Sequence, residues 1–269
     1  MYSPRTITDQ EFSRFQRMIH DIAGINMSPA KKALVMGRLA KRLAARGASS
    51  YGEYFSLLAS GHDPGEVQVA VDLLTTNETY FFREPKHFDF LRTKILPGHS
   101  KTAGFRVWSA ASSSGQEAYS IAMLLSDVLG DAPWEIIGTD ISTRVLERAR
   151  AGHYALEQAE HIPKAYLSRF CLKGVGVQDG TFLMERGLRA RVQFLQANLN
   201  RALPRIGEFN LIFLRNVMIY FDLETKRRVA QRVIDLLKRG GHLFVSHSES
   251  LNGISESLDP VAPSIYRKP

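Results

Sequence analysis

The sequence predicts an α/β protein: a doubly wound, mostly parallel sheet preceded by an N-terminal helical domain and interrupted by a small inserted β-subdomain. Three observations predict it. From Phe105 onward short apolar runs alternate with amphipathic stretches, the pattern of parallel strands joined by crossover helices. Before residue 76 the chain carries four helical stretches with start and stop signals and no strand-like run. Between Gly152, which closes the helix after the second strand, and Val192 lie about forty residues, where the chain needs far fewer to enter the next strand. The expected division is a helical domain over 1–75, a linker over 76–84 that contributes to the active site, and a catalytic domain over 85–269 with the insertion at about 153–191.

The elements follow in order. Thr8 and Glu11 form a capping box ahead of Phe12, Phe15 and Ile19, and Gly24 ends that helix. Ser28 and Pro29 sit at the N-cap and first position of a second helix that stops at Gly47. Ser50 and Glu53 form another capping box. Asp63 and Pro64 open a fourth helix with Val67, Val71 and Leu74 on one face. Thr76–Glu84 mixes polar and aromatic residues as a linker, Pro85 opens a short helix, and Leu96–Gly104 reads as a turn. Phe105–Ser109 is a strand, Glu117–Leu125 a helix, and Glu135–Thr139 a second strand followed by a helix capped by Ser142 and closed at Gly152. Val192–Leu195, Leu211–Leu214 and His242–Ser246 are further strands. The helix Leu223–Arg239 precedes the last, with Gly240-Gly241 as its stop. Within the insertion, Gly174, Gly176 and Gly180 space a turn, and two strand-like pieces, Thr181–Glu185 and Leu188–Phe194, are joined by Arg186-Gly187.

Composition narrows the function classes. The chain has 269 residues, 44% of them hydrophobic, which is globular and ample for a core. Its one cysteine, Cys171, excludes an internal disulfide, and no Cys/His cluster has zinc spacing, so no metal is expected. Met1–Phe12 has no apolar stretch resembling a signal peptide, and no run reaches the roughly 18 apolar residues of a membrane span. The simplest expectation is a cytoplasmic protein. The net charge of +8 points to an acidic partner. Residues 1–50 hold nine Lys or Arg against three Asp or Glu, so most of the excess lies there. Without a heptad pattern, a monomer is the default.

The strongest local signal for chemistry is Val107-Trp108-Ser109-Ala110-Ala111-Ser112-Ser113-Ser114-Gly115-Gln116-Glu117. It reads as a strand, a loop of small residues that lets a ligand approach the backbone, and a helix start with unpaired N–H groups. Any tight strand–helix turn can look similar. The second signal is Asp140 at the end of the second strand, where an acidic residue commonly accepts hydrogen bonds from ribose hydroxyls; it could also be a helix N-cap, although Ser142 is available for that. The loop lacks G-x-G-x-x-G, which counts against a dinucleotide. Glu117 suits a cation better than a phosphate, and S-adenosylmethionine offers a sulfonium and an amino group.

Four motifs then carry a family resemblance. Thr75-Thr76-Asn77-Glu78-Thr79-Tyr80-Phe81-Phe82-Arg83-Glu84 resembles the linker signature of CheR-type chemotaxis receptor glutamate O-methyltransferases. Trp108–Ser120 resembles that family's cofactor loop, Arg215-Asn216-Val217-Met218-Ile219-Tyr220-Phe221-Asp222 its fourth-strand motif, and His247-Ser248-Glu249 its fifth-strand end. The resemblance covers nearly the whole chain. One departure is Gly115-Gln116-Glu117-Ala118, where the family usually has Gly-Glu-Glu-Pro; Glu117, the second acidic position, is present.

The resemblance implies a sheet of the S-adenosylmethionine-dependent methyltransferase type, methyl transfer to receptor glutamates, and S-adenosylhomocysteine as product. It implies that Asn77, Thr79 and Arg83 reach the cofactor from the linker, that Glu117 holds its methionine end and Asp140 its ribose, that Asn198 and Leu199 flank the adenine, and that Arg215 and Asn216 lie beside it. Arg83 and Tyr220 are the expected catalytic residues: Arg83 as a guanidinium fork for the target carboxylate, Tyr220 as a hydrogen-bond donor near it. His247 reads as structural. Lys31, Arg38 and Arg42 lie at i, i+7 and i+11 along one helical face, expected to dock on acidic receptor methylation helices, with Ala33, Gly37, Ala40 and Ala44 opposite to permit close packing. In some members of the family the β-subdomain binds a tail peptide at the receptor's C-terminus; here Gly174, Gly176 and Gly180, with Arg186, Arg189 and Arg191, would serve it. Two other readings compete: a nucleic-acid methyltransferase, against which the proline-free Arg215-Asn216-Val217-Met218 stands, and a cofactor-binding adaptor without turnover.

Overall fold

Three of the first four helices start where a side chain accepts from a free N–H of the first turn. The computed structural model describes residues 6–100 and 102–269; the predicted N-terminal domain's first five residues, within the segment read for a leader, and Lys101 of the predicted turn lie outside them. The chain divides into two compact units, one made of the chain up to Thr76 together with Tyr220–Thr225, the other of Asn77–Ile219 and Lys226–Pro269.

In the first unit, α1 (Asp9–Ala23) has both bonds of the predicted capping box, Thr8 N–H to Glu11 Oε2 (2.8 Å) and Glu11 N–H to Thr8 Oγ (3.2 Å). The helix stops at Gly24 in the left-handed region. A 3-10 turn, Pro29–Lys31, leads into α2 (Lys32–Ala45), and Ser28 makes no side-chain cap there. In α3 (Tyr51–Ala59), Ser50 caps Glu53 N–H, but Glu53 reaches back to Ser49 N–H (2.5 Å). Asp63 caps α4 (Pro64–Leu74). Phe12, Phe15, Ile19, Val35, Leu39, Tyr54 and Leu58 are buried.

Two expectations for α2 change. Its buried face is Val35, Leu39 and Leu43; Ala33, Gly37, Ala40 and Ala44 are exposed, and nothing lies within 4 Å of a Cβ built on Gly37. The small residues therefore do not serve close packing within the unit; the branched apolar residues fill that role because their burial removes more surface from water. The cations have internal partners. Arg38 donates to the carbonyls of Leu74 (3.0 Å) and Thr75 (2.9 Å) and to Thr76 Oγ1, binding the carbonyl end of α4. Arg42 forks onto Glu66, Nε to Oε1 at 2.6 Å and Nη2 to Oε2, and Tyr54 donates to the same buried carboxylate at 2.6 Å. Arg42 holds the Glu66 carboxyl below its ordinary value. The late segment Tyr220–Thr225 belongs to this unit: Asn26 N–H donates to Tyr220 O (2.7 Å), Ile25 bridges Phe221, and His20 Nε2 lies 3.0 Å from Asp222 Oδ2.

The second unit holds α5 (Pro85–Phe90), β1 (Phe105–Ser109), α6 (Gln116–Leu129), β2 (Trp134–Asp140), α7 (Thr143–Ala151), β3 (His153–Ala155), α8 (Lys164–Phe170), β4 (Cys171–Lys173), β5 (Thr181–Met184), α9 (Arg186–Ala190), β6 (Val192–Gln196), β7 (Phe209–Leu214), α10 (Leu223–Asp235) from Lys226 onward, β8 (Leu237–Val245), β9 (Asp259–Ala262) and β10 (Ile265–Arg267). Seven strands form a sheet in the order β6-β2-β1-β7-β8-β10-β9. The first five pair in parallel; β10 runs antiparallel to both its neighbours. The predicted α/β architecture is thus present. Buried side chains of α6 (Ile121, Ala122, Leu125) pack with Val107, Ile136, Leu211 and Phe213 in one core.

The insertion is a three-stranded antiparallel sheet, β3-β5-β4. Its strands differ from those expected. Leu188–Phe194 is not a strand of the insertion: Glu185 accepts from Leu188 N–H (3.0 Å) and starts α9, so Arg186-Gly187 is a helix start, and the following residues enter β6 of the main sheet. Gly174 has no room for a side chain, since a Cβ would lie 1.9 Å from Gln178 O; its smallness serves the chain's own turn. The last predicted helix is also shorter. α10 ends at Asp235, where Lys268 Nζ binds the carbonyls of Ile234 (2.8 Å) and Leu237 (2.7 Å). Gly240-Gly241 lies inside β8, where its pairing with β7 shifts register.

Candidate active site

The sheet order sets β1 between β2 and β7, so the chain leaves β1 in opposite directions on its two sides. Ligands of open α/β sheets bind at such a switch point, beyond the carboxyl ends of the strands. The carboxyl ends here are Ser109, Asp140, Gln196, Leu214 and Val245. Three of the four motifs follow them, after β1, β7 and β8.

After β1, the small-residue loop turns tightly into α6. Ser112 N–H donates to Thr139 O (2.7 Å), which ties the loop to β2. Gly115 has φ 95°, and a Cβ on it would lie 3.0 Å from both Ala149 Cβ and Tyr154 Oη. Any other residue would be strained and crowded there. Asp140, 8% exposed, joins the two strand ends: Oδ2 accepts from Ser113 N–H and Oδ1 from Ser142 N–H, both at 2.9 Å. Ser142 is the N-cap of α7 by backbone conformation, without a capping bond from its side chain. Beyond β6, Ala197 N–H donates to Asp140 O (3.0 Å), which sets Asn198 and Leu199 next in the chain. Asn198 Oδ1 turns the chain by accepting from Asn200 N–H, and Leu199 is 7% exposed.

Glu117 and Arg215 meet under the loop. Glu117 Oε1 accepts from Ser109 Oγ (2.7 Å), and Arg215 Nη1 donates to Glu117 Oε2 (3.0 Å). Arg215 is 4% exposed; its Nη2 donates to the Arg83 carbonyl (2.6 Å) and lies 3.2 Å from Glu84 Oε2. One buried guanidinium therefore joins the linker, the end of β7 and the start of α6. Burial pushes the Glu117 carboxyl up, the nearby Glu84 adds to that, and Arg215 and Ser109 oppose it. Burial acts the same way on Glu84, but the Arg215 guanidinium beside it holds its carboxyl below the ordinary value. Burial drives fully enclosed His87 down to about 3, so it is neutral at pH 7. His247 donates its backbone N–H to Glu84 Oε2 (3.2 Å), and its ring packs edge-on to His87.

Of the linker residues, Asn77 accepts from Ser113 Oγ at its carbonyl (2.9 Å), and Thr79 is half-buried. Arg83 Nη1 donates to Glu78 O (3.1 Å), and its guanidinium lies over Tyr80, 5.5 Å from the ring centre. Asn77, Thr79, Arg83, Glu117, Asp140, Asn198, Leu199, Arg215 and Asn216 all belong to the sheet unit; Tyr220, Lys31, Arg38 and Arg42 belong to the helical unit. Sequence reasoning gave no role to Glu84 or Glu249. Both stand inside quoted motifs, and a carboxylate just before Pro85, or three residues beyond Ser246, has the spacing of a cap.

Residues 77–266 match the family described as CheR methyltransferase, SAM binding domain, and residues 10–75 match CheR methyltransferase, all-alpha domain. The chain is 38% identical over 265 residues to the chemotaxis protein methyltransferase of Escherichia coli K12, covering 97% of this chain and 91% of that one. It is 40% identical over 262 residues to chemotaxis protein methyltransferase 2 of Pseudomonas aeruginosa, covering 96% and 93%. The chemotaxis protein methyltransferase of Borreliella burgdorferi is 36% identical over 273 residues, covering 97% and 95%.

Proposed function

The chain belongs to the CheR methyltransferase family, and from that membership we propose that it methylates glutamate side chains of chemotaxis receptors in the cytoplasm. It is an S-adenosylmethionine-dependent methyltransferase, and S-adenosylhomocysteine is the product. The observation that carries the reading is the placement of Asp140 and of the Glu117–Arg215 pair at the carboxyl ends of neighbouring strands and in the loops that follow them. The donor set fits the cofactor. Arg215 Nε, Ser112 Oγ and Ser142 Oγ are buried without a hydrogen-bond partner. A carboxylate and hydroxyls can satisfy such groups, and buried polar atoms rarely stay unpaired.

When bound, S-adenosylmethionine supplies a methyl group on a positively charged sulfur. The residues have little else to do, because a glutamate with a pKa near 4.3 is already a nucleophile at pH 7 and needs no base. Glu117 and Arg215 would hold the amino-acid end and Asp140 the ribose, with Asn77 and Thr79 reaching from the linker, Asn198 and Leu199 flanking the adenine and Asn216 alongside. Arg83 would orient the target carboxylate, fixed at its carbonyl by Arg215, and Tyr220 would donate a hydrogen bond to it. Alignment and exclusion of water supply the rate. The test is transfer of labelled methyl to purified receptor, followed by base-labile release as methanol. Arg83→Ala is expected to lower turnover by about a hundredfold while cofactor affinity changes less than about threefold, with Tyr220→Phe a milder case. Equal losses in both would make Arg83 a cofactor ligand only. Cofactor binding with no transfer to any receptor would favour the adaptor reading.

Receptor engagement is proposed at two places. The acidic methylation helices would meet the basic face of α2; Lys31 is exposed and carries most of the load, because Arg42 is neutralised by Glu66 and Arg38 is spent on α4. A receptor tail peptide would add to the β-subdomain along β4, an edge strand with exposed Leu172 and, beyond it, Val175 and Val177. Arg191 is less suited to the tail than its sequence position suggests, since it stacks on Trp134 and donates to Ala132 O. Titrating methylation-helix and tail peptides over a salt series checks both. Helix binding should weaken steeply with salt, as the screening length falls to about 8 Å at physiological ionic strength, and tail binding should persist. Salt-insensitive helix binding would remove α2, and no tail binding below millimolar would remove the tether. Among the described residues, no helix is long and apolar enough to cross a membrane.

A further inference from the structure

We propose that Glu249 is a positioning residue of the cofactor site: its single carboxylate fixes the turn after β7 and so sets Arg215 and Asn216. The inference rests on the reading that these two residues line that site.

Oε2 accepts from the backbone N–H of Asn216 (2.9 Å) and of Ser246 (3.0 Å). Oε1 accepts from the N–H of Val217 (3.1 Å) and of Ile219 (3.2 Å). Four backbone donors from two neighbouring strand ends thus converge on one carboxylate. Bonds to an ionised acceptor are about twice as strong as neutral ones, and without them these N–H groups would turn to water, which fixes no direction. The turn also needs fixing. Asn216 has φ 57°, in the left-handed region that most side chains avoid and asparagine enters as a single residue, so the chain reverses sharply here between Arg215 and Val217. Arg215 immediately precedes it and carries the bonds to Glu117 and to the Arg83 carbonyl. A shift of this turn would misplace that guanidinium. Glutamine at 249 keeps the shape but replaces one accepting oxygen by an NH2 group that opposes two N–H donors.

The test is the affinity of S-adenosylhomocysteine, measured by calorimetry well below the melting transition, for wild type, Glu249→Gln, Asn216→Ala and the double variant, with circular dichroism confirming that each is folded. Glu249→Gln should weaken binding by about tenfold, yet by less than about twofold when Asn216→Ala is already present, because residues acting through one turn are not additive. A purely structural role would lower the melting temperature and leave this affinity unchanged. Unchanged affinity in Glu249→Gln, with Asn216→Ala weakened, overturns the role of Glu249 and spares the site. A full tenfold loss on top of Asn216→Ala overturns it as well. Unchanged affinity in Asn216→Ala removes the reading of Asn216 itself and the proposal with it. If Glu249→Gln does not fold, Glu249→Asp keeps the charge on a shorter stem and should bind with intermediate affinity; wild-type affinity there also overturns the proposal.

Discussion

Arg215→Met is expected to destabilise the protein by about 3–5 kcal/mol at pH 7, the cost of removing one partner from a buried charge network. The methionine fills much of the space, so the loss is electrostatic. Glu117 and Glu84, each 14% exposed, would lose the cation that holds them, and the Arg83 carbonyl would lose a 2.6 Å donor. The sign with pH follows. Arg215 lowers the pKa of both carboxyls, so without it both rise, and they protonate at a higher pH than in the wild type. The deficit should therefore be largest at neutral pH and shrink as the solution is made acidic and the bare carboxylates take up protons. Urea unfolding at several pH values measures this. A further substitution, Glu84→Gln, should recover part of the loss by removing one of the two stranded charges. Because total stability is only about 5–15 kcal/mol, a deficit below about 1 kcal/mol at pH 7 would mean that water enters the network and that Arg215 is not its centre.

Asp140→Ala is expected to weaken S-adenosylhomocysteine by on the order of a hundredfold. Two losses add. The bound ribose would forfeit a charged acceptor, worth about 1.5–3 kcal/mol. The loop would forfeit the acceptor shared by Ser113 N–H and Ser142 N–H, and each buried donor left without a partner costs about 1–3 kcal/mol. The second loss also falls on the free protein, so the melting temperature should drop before any ligand is added. Asp140→Asn separates them: it keeps one accepting oxygen for the loop and removes the charge. Calorimetry should find Asp140→Asn between wild type and Asp140→Ala. Unchanged affinity in Asp140→Ala would remove the ribose role and leave Asp140 as a loop brace.

The sequence by itself determined what depends on near neighbours along the chain. Caps are such features: Thr8 with Glu11 and Asp63 with Glu66 close within three residues, so residue type and spacing suffice to read them. The alternation of strands and helices is local too, and it yielded the parallel sheet. The four motifs were legible because each is one continuous stretch, three of them at a strand end and one in the linker between α4 and α5. Tertiary structure decided what depends on partners far apart in sequence. Arg38 and Arg42 read as a free basic face because their partners, the end of α4 and Glu66, lie at least two dozen residues away. Leu188–Phe194 has the residues of a strand, yet Glu185 turns its first part into a helix and β2 claims the rest. The segment Tyr220–Thr225 joined the helical unit through Ile25 and Asn26, a pairing across almost two hundred residues. Glu84 and Glu249 were visible as letters but not as roles, since a carboxylate's work is defined by the donors that surround it. Those donors come from separate strand ends, and only the folded sheet brings them within hydrogen-bond distance.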